Sequence, residues 1–239
     1  MILGESTMTE FRKSVRGART LIMPFGTVEA HGSHLPLNTD TFIIREVIKK
    51  VSEKNNVFMA PPLQYGVCTS TFDHPGTIGI TSGTLRAITT DIVNSGYKQG
   101  FRNFILISGH GGSLHVAALR EAGEALVSAH EDMKIAALSI YEMIGKEAEA
   151  IIETKNDSHA GEAETSLMLY LAPRLVKGRA EEEYPDLPRP IIVKDKVRRW
   201  KGAVWGNPQK ASVEKGEALF KVMVSRVEDL VGRMEKTRI

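Results

Sequence analysis

Asn103-Phe-Ile-Leu-Ile-Ser108 runs directly into Gly109-His110-Gly-Gly-Ser113, and this stretch decides the fold. Its unbroken apolar centre reads as a strand buried on both faces, the kind found in parallel sheets. The glycines that follow mark a tight turn. Leu114 to Ala129 then continues as an Ala/Leu/Glu-rich helix. Strand, turn and helix in that order are the repeating unit of an α/β sheet.

The same unit recurs on either side. Thr20-Leu-Ile-Met-Pro-Phe-Gly26 reads as a strand running into a loop, with Pro24 near its end. Asp40 to Val51 places Phe42, Ile43, Val47, Ile48 and Val51 on one helical face. Val57-Phe-Met-Ala60 is a short strand stopped by Pro61-Pro62, and Ser82 opens a helix that continues to about Gly96. Downstream, Lys134 to Tyr141 reads as a strand, followed by helices at Glu142–Glu153 and roughly Gly161–Leu171. Residues 178–209 hold most of the late prolines and glycines and read as a long structured loop; Val213 to Met234 closes the chain as an amphipathic helix. This alternation predicts a mainly parallel sheet covered on both faces, with its functional crevice outside the carboxyl ends of the strands.

With 239 residues the chain has room for one large α/β domain or two small ones. Its 31 Lys and Arg nearly balance 29 Asp and Glu, so nothing calls for a nucleic-acid partner. Lys194 to Lys201 is locally basic and reads as a solvated loop or subunit contact, with acidic-substrate binding as the sharper alternative. The single cysteine, Cys68, forbids an internal disulfide and has no base beside it, so it reads as a small buried residue. The first residues lack the basic start and apolar core of a signal peptide, and no apolar run is long enough to span a bilayer. The expected location is the cytoplasm.

Chemistry concentrates at predicted strand ends. Glu29-Ala-His31-Gly-Ser-His34-Leu-Pro-Leu-Asn-Thr-Asp40 gathers imidazoles and carboxylates beside a buried strand, where uncompensated charge is costly. A divalent cation supplies the compensation. Glu29 and His31, two residues apart, point the same way if extended, so each can meet a different ion of a closely spaced pair. Asp40 has two oxygens and can bridge both ions; the plainer reading makes it a first-turn helix residue, with Thr39 equally able to cap. His110 lies at the centre of its glycine turn, which suits a metal ligand better than a phosphate cradle. His115, in the following helix, reads as structural. Asp157-Ser-His159-Ala-Gly-Glu162-Ala-Glu164 adds a histidine free to shuttle protons and two carboxylates on nearly opposite sides of a helix, so only one of them faces the site.

Glu29 to Asp40, Ser108-Gly-His-Gly-Gly-Ser113 and His159-Ala-Gly-Glu-Ala-Glu-Thr-Ser166 resemble the three signatures of the creatininase family of amidohydrolases. His74 to Ile80 and Gly206 to Gly216 also resemble family segments, so the likeness runs through most of the chain. The resemblance implies a single creatininase-like domain over residues 1–239, a three-layer α/β/α fold, and assembly as a trimer of dimers. It implies one metal on Glu29, Asp40 and His110, a second on His31, Asp40 and Glu164, and His159 as catalytic acid/base. Creatininase itself carries an acidic residue where Gly112 stands and a Trp-Asp pair where Lys155-Asn156 stands. Other branches act on formamides of pyrimidine nucleotides or on peptide-like amides.

The expected function is therefore hydrolysis of an amide C–N bond of a small molecule by water activated between two divalent ions. Oxygen and imidazole donors without thiolate suit Zn, Mn or Fe(II). Two other classes compete: metal-dependent phosphoester hydrolysis, which needs basic side chains beside the metals, and a non-catalytic nucleotide-binding module using the Ser108–Ser113 turn as an anion nest.

Overall fold

The computed structural model describes residues 1–238. Strands β1 (Thr20–Phe25), β2 (Phe58–Met59), β3 (Asn103–Ser108) and β4 (Lys134–Ser139) form one sheet in the order β2-β1-β3-β4, and every pair is parallel. All six positions of β1 and of β3 are buried, as expected of strands covered on both faces.

The pleat sorts their side chains into two cores. Ile22, Met59, Ile105 and Ile107 face a layer built by α2 (Thr39–Lys54), α5 (Ile140–Ile151), α6 (Glu162–Leu171) and α7 (Val213–Lys236). Leu21, Met23, Phe25, Phe58, Phe104 and Leu106 face the opposite layer, formed by α1 (Met8–Ser14), α3 (Ser82–Lys98) and α4 (Ser113–Ala129). The result is a three-layer α/β/α arrangement.

Strand order reverses between β1 and β3, since β2 lies outside one and β4 outside the other. Such a switch point opens a crevice beyond the strands' carboxyl ends. The two strands are in one-to-one register from Thr20↔Asn103 to Phe25↔Ser108, so their ends are flush. The loops that follow, 26–38 and 109–112, therefore start side by side.

Several elements differ from the sequence reading. The strand from Lys134 stops at Ser139 because a capping box intervenes: the Ser139 hydroxyl accepts from the Tyr141 amide, and Glu142 accepts from the Ser139 amide at 2.9 Å. Helix α5 thus starts at Ile140, where β-prone residues suggested continued strand. β2 pairs only at Phe58 and Met59. Helix α2 begins at Thr39 behind Asn38, and the Thr39 hydroxyl donates to the Pro36 carbonyl at 2.7 Å instead of capping. Helix α1 was not anticipated, although Thr7 and Glu10 form a capping box and Phe11 packs on Phe58 and Phe101. Residues 178–209 are loop apart from a 3-10 turn at Lys196–Arg198 and the start of another at Pro208–Lys210.

Candidate metal centre

Glycine brings two loops together. A side chain on Gly109 would land on the Asp40 backbone carbonyl, so only glycine lets the end of β3 touch the start of α2. His110 Nδ1 lies 2.6 Å from Glu29 Oε1 and 3.3 Å from Asp40 Oδ2. His31 Nε2 lies 3.2 Å from Asp40 Oδ1 and 3.6 Å from Glu164 Oε2. Asp40 thus sits in the middle and turns one oxygen to each imidazole. Glu29, Asp40 and His110 form one group, and His31, Asp40 and Glu164 a second; within each, one donor atom per residue lies within 4.8 Å of the others. Glu29, His31 and His159 form a third such group.

The remaining ring nitrogens decide what this arrangement wants. His110 Nε2 is 3.3 Å from the Val67 carbonyl, and His31 Nδ1 is 3.0 Å from the Glu29 carbonyl. A carbonyl takes only a donated N–H, so each neutral ring turns its lone pair toward carboxylates. Lone pairs facing anions repel unless a cation lies between them, and a backbone carbonyl on the far nitrogen is the usual support of a metal-bound histidine. Burial opposes charging His31, yet the charge of Asp40, its hydrogen bond and the charge of Glu164 raise the ring to about 10. Burial likewise opposes the rise of His110, which the Glu29 charge imposes. Glu29 falls to about 2 despite burial, chiefly through the charge of His110, and Asp40 falls well below its usual range beside His31. The buried carboxylates pull positive charge into the cluster, and divalent cations fit the oxygen and nitrogen donors present. Cys68 stands outside these groups; burial, then the Glu29 charge, push its thiol up, which leaves no thiolate to attack or ligate.

Hydroxyls and a second histidine hold the donors in place. The Thr27 hydroxyl donates to Asp40 Oδ2 at 2.5 Å and lies 3.1 Å from Glu29 Oε1; the Thr71 hydroxyl donates to Glu29 Oε2. The sequence reading missed both threonines, because no spacing distinguishes them from other hydroxyls. His115 does bear out its structural reading: its Nδ1 accepts from the Val67 amide at 3.1 Å while the Val67 carbonyl accepts from His110. The Val67 peptide is clamped between two imidazoles. Burial, then the His110 charge, depress His115 to about 3. His34, 2.8 Å from the Thr165 hydroxyl, is lowered to about 4 by burial, the Arg179 charge and the His31 charge.

A histidine held neutral in the fold binds fewer protons than the unfolded chain below its free pKa of 6.5, so its stabilisation is present above 6.5 and lost as pH falls. We expect stability to decline from pH 6.5 toward 4, by up to about 1.4 kcal/mol per pH unit for each ring. Denaturant titrations of wild type and His115→Gln across that window check this. The variant's decline should be shallower, and parallel slopes would contradict the assignment.

Helix α6 settles which acid faces inward. The Glu162 carboxylate accepts from the Glu153 and Thr154 amides and pairs with Lys215 at 2.5 Å. Glu164 Oε2 accepts from the Ala160 amide at 2.6 Å and turns toward His31. Glu162→Gln is expected to cost about 1–2 kcal/mol, by weakening the bonds from Lys215 and the Thr154 amide, since Lys215 keeps Glu153 at 2.7 Å, while bound metal is kept. Glu164→Gln is expected to lower metal affinity by about tenfold or more. Elemental analysis beside thermal melts separates the two; metal loss from Glu162→Gln alone would reverse the assignment.

His159 stacks on His31 with ring centres 4.3 Å apart and meets Trp200 edge-on at 5.3 Å. Its Nε2 is 2.8 Å from the Ala30 carbonyl, so the neutral ring carries its lone pair on Nδ1. Burial and the His31 charge lower its pKa. A side chain on Gly112 would strike the His110 ring, so glycine fits there for a local steric reason.

Glu29, His110, His159 and Glu164 line a cleft of about 1030 Å³. Arg189, Lys196 and Trp200 line it too, so the 194–201 segment is not wholly a solvated loop. The six residues expected from the sequence, Glu29, His31, Asp40, His110, His159 and Glu164, meet at the β1/β3 switch point.

Known proteins resemble this chain over nearly its whole length. The creatininase family profile, described as creatinine amidohydrolase, matches residues 4–231. The creatinine amidohydrolase of Pseudomonas putida is 29% identical, over 97% of this chain and 96% of its own. The mycofactocin precursor peptide peptidase of Mycolicibacterium smegmatis is 30% identical, over 99% and 92%. A crystal structure of creatinine amidohydrolase superposes with a TM-score of 0.88 at 27% identity, covering 99% of this chain and 98% of that one. Creatininase structures described as a Mn form and, in a variant, a Zn–Zn type are each 26% identical, with TM-scores of 0.87 and 0.85 and at least 98% of both chains covered. On a match of that extent the chain belongs to the creatininase family, amidohydrolases that act on carbon–nitrogen bonds.

Proposed function

We propose that the protein is a dinuclear metal-dependent amidohydrolase acting on a cyclic, formyl or peptide-like amide. One observation carries this reading: Asp40 stands between two imidazoles, each flanked by its own further carboxylate. Glu29, Asp40 and His110 would hold one ion and His31, Asp40 and Glu164 the other, with Zn, Mn or Fe(II) suited to the donors. When bound, such ions supply Lewis acidity at the amide carbonyl and water that ionises near neutral pH.

The chain's own groups supply the rest. His159, neutral and with Nδ1 unprotonated, takes a proton from the attacking water and returns it to the leaving nitrogen, which departs poorly as an anion. Gly111 and Gly112 line the cleft ahead of α4, and their amides would serve to stabilise the oxyanion. Family membership supports amide over phosphoester chemistry, and the same reading takes the protein as a cytoplasmic homo-oligomer. Among the described residues no helix is long and apolar enough to cross a membrane. The test is a screen of Mn- and Zn-loaded protein against formamides, cyclic amides including creatinine, and short peptides, with metal content measured alongside. Metal-free protein that cleaves none of them would sink the reading.

A further inference from the structure

Beyond the acidic cluster the cleft changes character. Arg189 and Lys196 both line it, and neither has an acidic partner among the described residues. Their neighbours do: Arg198 pairs with Asp195 at 2.5 Å and Arg199 with Asp186 at 3.7 Å. The Arg189 guanidinium lies over the Trp205 ring, 4.9 Å from its centre. Trp205 in turn exchanges backbone hydrogen bonds with His159 at 2.7 and 3.2 Å, which fixes the platform beneath Arg189 to the proposed proton shuttle. Lys196 donates to the Thr69 carbonyl at 2.5 Å, two residues from the Thr71 that supports Glu29. Both cations are therefore tied to walls that carry the site. Outside Glu29 and Glu164 of the acidic cluster, Asp73 is the acid on the same lining, and it is exposed.

The rim is apolar where a surface would ordinarily be polar. Phe72, Leu114, Ile191 and Ile192 line the cleft, with Phe72 64% and Ile192 91% exposed. A cleft of about 1030 Å³ lies at the upper end for small-molecule sites and has room well beyond a small cyclic amide. A guanidinium stacked on an aromatic face, without a counter-ion, presents its donors as a fork that matches a carboxylate.

Resting on the amidohydrolase reading above, we propose that the substrate is an amide bearing a free carboxylate beside an apolar side chain: an N-acyl amino acid or the carboxyl end of a short peptide. Arg189 binds the carboxylate with help from Lys196, and the rim receives the apolar group. Hydrolysis consumes one water. The C–N bond breaks, the hydroxyl goes to the acyl carbon, and the proton goes to the nitrogen of the released amino acid.

The experiment uses metal-loaded protein and N-acetyl-alanyl-leucine as the free acid and as its carboxamide. We expect kcat/KM to favour the acid by about thirtyfold, within the range for a hydrogen-bonded charge. Arg189→Gln should collapse that preference by raising KM for the acid, and Lys196→Gln should reduce it less. No preference in the wild type, or a preference that survives Arg189→Gln, overturns the anion subsite and leaves amide hydrolysis standing. Calorimetric binding of both ligands provides a readout independent of turnover. Tighter binding of the acid that Arg189→Gln abolishes supports the subsite even if neither compound is cleaved, an outcome that would count against the amidohydrolase reading alone. Equal binding of the two ligands overturns the subsite.

Discussion

Asp40→Ala is expected to abolish metal retention and to lower turnover by about 10³-fold or more, the scale at which a dinuclear site loses its joint action. Among the described residues, Asp40 is the carboxylate that turns an oxygen to each of His31 and His110. Without it the two donor groups fall to pairs, Glu29 with His110 and His31 with Glu164. Asp40→Asn is the sharper companion, because it keeps the shape and the Thr27 contact while removing the charge. Elemental analysis after dialysis, with a thermal melt to confirm folding, gives the answer. Wild-type metal content in a folded Asp40→Ala protein would show that the carboxylate does not join two ions.

His159→Gln is expected to lower kcat by about 10²- to 10⁴-fold, the range for a positioned general acid or base. Metal content should be unchanged, since His31 and His110 keep their own carboxylates. The ring's lowered pKa, set by burial and then by His31, places its neutral form across the near-neutral range. The acidic limb of the wild-type pH–rate profile should therefore disappear in the variant. A variant that keeps both that limb and the rate would remove His159 from the chemistry.

The dense Glu29–Asp40 segment and the glycine turn around His110 were legible in the sequence because both write their chemistry into adjacent residues behind a recognisable strand. β3 was legible for the same local reason, its boundaries coinciding with the apolar run. Elsewhere the deciding forces act over long stretches of chain. The choice between Glu162 and Glu164 is made by Lys215, 53 residues away, and by amides at Glu153 and Thr154. Thr71 reaches Glu29 across 42 positions, and His115 meets His110 through the Val67 backbone and by an edge-on ring contact at 5.3 Å. Arg189 and Lys196 lie in a loop without periodicity, so nothing in their spacing foretold that they share a cleft with the acids. Where capping competed with strand propensity, at Ser139, the local hydrogen bonds won.

The flush register of β1 and β3 carries one more consequence. A slip of β3 by two residues would preserve which side chains face each core, yet would carry His110 about 6–7 Å along the strand. Donor atoms in each acidic group now lie within 4.8 Å of one another. Sheet alignment therefore acts as the ruler for ion capture. A cavity at Ile105, which contributes no donor atom, is expected to loosen the hold on metal before the molecule melts.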